Sequence, residues 1–167
     1  MTIDELRLSP NARKAAELVL AEHPDVEFTD GRRDVRDQAR RMASNVIRFG
    51  VGWLRDTYKH QQMIDSLEGW TQAHLDQTAS LGQMTEGFYT VLVTELAGGM
   101  AVFPHCLGDA FDIRCPRFAT GQFDETRIAA IKRTIEQLPK ELGLTLVVTH
   151  EGKLRVIHAQ FAHSEEV

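Results

Sequence analysis

The run HCLGDAFD places His105 seven residues before Asp112. A further histidine, His158, lies in the strand-like segment Leu154–Phe161. Two imidazoles and one carboxylate make a three-ligand set, the number that catalytic zinc takes from protein while its fourth position stays open. A zinc ion held this way would keep a net charge of about +1. It would polarise a carbonyl and lower the pKa of a water to about 7. The competing reading is structural. Seven histidines offer chance pairs, a lone buried histidine is more often a packing residue, and Asp112 could serve as a cap or ion-pair partner.

The neighbours of these residues suit a sheet. Asp112 alternates with Phe111 and Ile113, and His158 with Ile157 and Ala159. One face of each strand can therefore be apolar while the candidate ligand points to the other. Gly108 permits the turn that would bring His105 back over Asp112. Cys106 and Cys115 are too few for a disulfide framework and are expected to be reduced thiols. Metal ligation by Cys106 is a lesser alternative to His105.

The wording of three segments carries a resemblance. HCLGDAFDI resembles the H-x-x-G-x-A-x-D core of the M15 family of zinc peptidases. VIHAQF is similar to that family's H-x-H-[VI]-[QE]-F segment, with Val156 in place of its first histidine. FTDGRR, residues 28–33, is similar to its S-G-[YF]-R element, with Asp30 and Arg32 replacing the serine and the aromatic residue. The three occur in the family's order. The family includes D-alanyl-D-alanine carboxypeptidases, vancomycin-resistance dipeptidases and phage endolysins.

The resemblance implies His105, Asp112 and His158 as zinc ligands. It implies a carboxylate general base shortly before the last histidine, and Glu151 is the only acidic residue close enough. The family's base usually stands three residues before that ligand, or about five in the H-x-H subset. Here the gap is seven, and Arg155 occupies the nearest expected place. His150 and Asp109 are weaker candidates. Arg33 matches the arginine that binds a substrate carbonyl or carboxylate, a task that suits the guanidinium fork. Gln38 could add a polar contact. Phe103 stands where the family often has a serine.

Other elements follow from periodicity and caps. Ser9-Pro10 begins a helix that ends near His23-Pro24, with Ala15, Leu18 and Val19 on one face. Residues 26–29 suggest a short strand, and Asp34 a cap for a helix to about Arg48. Residues 58–74 read as a third helix and 84–96 as a fourth. Short strands are expected at 101–103 and 110–113. Asp124 caps a helix from Glu125 to about Lys140, in which Ile128, Ile131, Ile135 and Leu138 recur at helical spacing. Residues 144–149 and 154–161 form a hairpin around Glu151-Gly152. The expected fold is α+β: N-terminal helices packed on a small antiparallel sheet that carries the metal site, in one domain over residues 1–167.

Composition narrows the class of function. With 43% hydrophobic and 26% charged residues, the chain reads as globular. The net charge of −5 argues against a dedicated nucleic-acid binder, and no apolar run is long enough for a membrane span. Positive charge is nonetheless concentrated between Asp30 and Lys59, where it could face an anionic polymer or simply form a solvated helix face. The N-terminus MTIDELRLSP lacks the features of a signal peptide. The expectation is a monomer made in the cytoplasm that reaches cell wall after lysis, holin passage or virion delivery. Its expected partner is the peptide stem of peptidoglycan. The rival expectation is a virion or tail protein that keeps the fold and perhaps the metal without catalysis.

Overall fold

A computed structural model describes residues 1–78 and 80–164. The helices are α1 (Ile3–Leu6), α2 (Pro10–Glu22), α3 (Val35–Phe49), α4 (Trp53–Thr57), α5 (Gln61–Ala73), α6 (Leu81–Ala97), α7 (Pro104–Leu107) and α8 (Glu125–Glu136). The strands are β1 (Phe28–Asp30), β2 (Ala110–Arg114), β3 (Leu144–Glu151) and β4 (Leu154–Phe161). The chain divides into two compact units. One comprises Met1–Arg32 with Phe103–Val167, and the other Arg33–Val102.

The first unit is α+β. Its four strands form an antiparallel sheet in the order β1-β2-β4-β3. Phe111, Ile113, Ile157 and Ala159 are buried among Ala12, Ala15, Ala16 and Val19 of α2 and Ile128, Ile131 and Ile135 of α8. Phe28 meets Phe111 edge to face, with ring centroids 5.4 Å apart. Period-two alternation thus sends the apolar residues of β2 and β4 into the core. Asp112 and His158, which are paired across the two strands, are left on the other face.

The second unit is helical. α3 packs on α6 and α5 on α6, burying Met42, Val46, Met63, Leu67, Met84, Phe88 and Leu92. Asp34 caps α3 through the Asp37 N–H, and Ser80 caps α6 through the Gln83 N–H. The arginines that concentrate charge here are largely engaged. Arg36 pairs with Glu86, Arg40 and Arg41 with Asp37, and Arg55 with Asp65 and Glu68.

Several boundaries differ from the sequence reading for identifiable reasons. Residues 101–103 do not form a strand. Pro104 follows them and opens α7, and a proline supplies no N–H to a ladder. The helix expected over 58–74 begins only at Gln61, because Tyr58 is extended and the His60 ring accepts the Met63 N–H as a cap. α8 stops at Glu136 rather than Lys140, since Pro139 disfavours helical backbone just before it. α1 was not expected, although Thr2 and Glu5 form a complete capping box.

Candidate metal centre

Asp112 and His158 face each other across the β2–β4 ladder, and Asp30 of β1 is the Cα partner of Asp112 on its other side. His105 arrives from α7. That short helix ends at Gly108, whose φ of 82° is the left-handed conformation a side chain would oppose. The chain then turns directly into β2, so the spacing between His105 and Asp112 is set by one turn of helix and one glycine.

The three side chains are buried, with exposures of 4% for His105, 7% for Asp112 and 6% for His158. Nδ1 of His158 lies 2.9 Å from Oδ1 of Asp112, and Nε2 of His105 lies 3.4 Å from the same oxygen. One candidate ligand atom from each residue falls within 4.8 Å of the others. Donors about 2.0–2.1 Å from a tetrahedral zinc ion lie roughly 3.3 Å apart. The cluster is therefore close to the size of a coordination shell before any rearrangement.

Hydrogen bonding explains why these groups fit a cation. Nδ1 of His105 lies 2.8 Å from the Gly31 carbonyl, an acceptor to which it can only donate. In the neutral ring Nε2 then carries the lone pair, and this buried atom has no hydrogen-bond partner. It faces a carboxylate oxygen, so two acceptors look at each other across 3.4 Å. A metal ion satisfies both at once. The carbonyl behind His105 is the outer support that fixes the ring's tautomer and orientation. In protonation terms, burial pushes the Asp112 carboxyl up. With the rings protonated, the charges of His105 and His158 and the hydrogen bond from His158 outweigh burial and hold it well below the usual carboxylate range; with His105 neutral, its lone pair is the one a cation would take.

The hairpin brings a second carboxylate to the cluster. Glu151 ends β3, yet its Oε1 lies 3.4 Å from His158 Nδ1. A regular strand advances about 3.3 Å per residue, so the seven-residue gap could have separated them by some 20 Å. The hairpin instead turns back immediately, with Glu151 opposite Leu154, and its register shifts between Val148 and His150. Such irregularities bend and twist a ladder. The Glu151 side chain is 26% exposed, which leaves it open to solvent as well as to the cluster.

The weaker candidates for the base have partners of their own. His150 is exposed and its Nε2 contacts Arg155, while Asp109 is buried with Oδ2 2.8 Å from His163 Nδ1. Arg33 and Gln38 belong to the helical unit. Gln38 is buried in α3 and its amide donates to the Tyr58 hydroxyl, while its carbonyl oxygen has no hydrogen-bond partner among the described residues. Cys106 is half-buried and Cys115 is buried. Sequence reasoning overlooked Asp30 and Gly31 at the centre itself. Asp30 is 5% exposed with Oδ2 4.0 Å from His105 Nδ1. Its place in the DGRR element was the available signal, whereas a backbone acceptor such as the Gly31 carbonyl leaves none. No helix among the described residues is long and apolar enough to cross a membrane. The chain matches no protein-family model, no curated protein and no solved structure.

Proposed function

We propose that this protein is a zinc-dependent peptidase that hydrolyses an amide bond in the peptide stems of peptidoglycan, of the endolysin type. The observation that carries the reading is the buried His105–Asp112–His158 group with Glu151 beside it. His105, Asp112 and His158 would hold the zinc ion. The ion supplies a Lewis acid that polarises the scissile carbonyl and acidifies water. Asp112 contributes the one negative charge of the ligand set, and Gly31 keeps the lone pair of His105 turned inward. Glu151 takes a proton from water at its carboxylate and returns it to the leaving amine, so one group acts first as base and then as acid. Its partial exposure suits both transfers.

The test is digestion of purified peptidoglycan, with products identified by mass spectrometry. The expected result is zinc-dependent release of fragments cut at one amide bond of the stem. Their masses also separate a carboxypeptidase from an L-alanyl-D-glutamate endopeptidase. Stoichiometric zinc without any hydrolysis would replace this proposal with a structural metalloprotein, such as a virion or tail component.

A further inference from the structure

Asp30 stands beside the candidate metal group without belonging to it, and β1 is shaped to deliver it there. Phe28 pairs with Ile113 and is buried in the apolar core. In a regular strand Asp30, two residues on, would share that face. The register shifts between the two residues, so Asp30 is opposite Asp112 rather than Phe111. A shift of this kind re-aims a side chain, and here it turns Asp30 to the face that carries Asp112. The Thr29 hydroxyl donates to the Asp112 carbonyl at 3.4 Å and ties the strands together at that point.

His105 lies between the two carboxylates. Its Nδ1 is 4.0 Å from Oδ2 of Asp30, and its Nε2 is 3.4 Å from Oδ1 of Asp112. Both carboxylates are buried, and like charges directly opposite in a ladder oppose each other. The pair therefore favours positive charge beside it. We infer that Asp30 is a positioning residue for the metal, acting through His105 by stabilising the positive charge the ring gains when Nε2 gives its lone pair to a cation. The inference rests on the reading of His105, Asp112 and His158 as a zinc site. The Gly31 carbonyl, 2.8 Å from Nδ1, already fixes the tautomer. At 4.0 Å Asp30 is beyond hydrogen-bond reach, so it adds charge instead of a further bond. A divalent ion with Asp112 as its one anionic ligand keeps a charge of about +1, and Asp30 offsets that charge within the protein. Groups behind ligating histidines change metal affinity by about 10–100-fold.

The experiment compares full-length wild type with Asp30→Asn, which keeps the shape of the side chain and removes its charge. Asp30→Ala, which removes the carboxylate without adding an amide, is measured alongside, and circular dichroism checks that both variants are folded. Zinc affinity is read by competition with a chelating dye, and the ligand set by the visible absorption bands of the cobalt(II)-substituted proteins at saturation. The expected result is zinc affinity lowered by about 10–100-fold in the variants, with cobalt bands that match wild type. Unchanged affinity in a folded variant overturns the inference and leaves the zinc reading standing. Altered bands at saturation overturn it as well, because Asp30 would then join or shape the ligand set instead of acting through His105. Wild-type protein that takes up neither metal removes the zinc reading itself, and this inference with it.

Discussion

Zinc should stabilise the folded protein, and His105→Ala should remove that effect. All three candidate ligands are more than nine-tenths buried, and they come from α7, β2 and β4. The site therefore exists only when the α+β unit is folded, and binding free energy adds to folding free energy. For a ligand that binds only the native state, a free concentration of 100 times Kd adds about 2.7 kcal/mol. In a chain of this size 1 kcal/mol moves Tm by about 2–4 °C, so the expected rise is roughly 5–11 °C. The assay is thermal unfolding of chelator-stripped protein with and without zinc, for wild type and for His105→Ala. Comparison within each protein cancels the packing cost of the substitution itself. The variant keeps Asp112 and His158 but loses the nitrogen whose buried lone pair has no other partner. Its zinc-induced shift should fall to a small fraction of the wild-type value. Equal shifts in the two proteins, or none in the wild type, would refute the reasoning.

Three further outcomes are expected. Gly31→Ala should lower metal affinity by about 10–100-fold, measured by competition with a chelating dye. The new Cβ would collide with the Leu6 backbone, 2.8 Å from its Cα, and push away the carbonyl that orients His105. Ser9→Ala should leave stability nearly unchanged in denaturant titration, whereas Asp124→Ala should cost about 1 kcal/mol. Asp124 accepts the Arg127 N–H at 3.0 Å, and Ser9 makes no cap bond. Cys115 should alkylate more slowly than Cys106 in a mass-resolved time course. Burial raises the Cys115 thiol, only partly opposed by Arg155, so less of it is thiolate at neutral pH and its rate should climb only under more alkaline conditions.

The sequence made the candidate metal group legible because its residues sit in strong local patterns. Asp112 and His158 are polar positions flanked by apolar ones, and β2 and β4 pair them in register. Gly108 between His105 and Asp112 announced the turn. Caps at Asp34 and Asp124 likewise marked the starts of α3 and α8. What escaped depends on interactions distant in sequence or on the backbone. The resemblance alone pointed to Glu151, and the register shift between Val148 and His150 in the β3–β4 hairpin is one that no residue type advertises. The separation of residues 33–102 into their own unit depends on which helices pair, and amphipathic faces alone do not specify partners. Pro104 and Pro139 were readable as breakers, and their neighbours' apolar character obscured them.

The most direct test of the central claim is Glu151→Gln, with zinc content and hydrolysis of purified muropeptides measured on the same preparation. The substitution keeps the size of the side chain and leaves His105, Asp112 and His158 intact. The account predicts about one zinc per chain, as in wild type, and hydrolysis reduced by at least about 100-fold. Wild-type turnover in the zinc-loaded variant would contradict it.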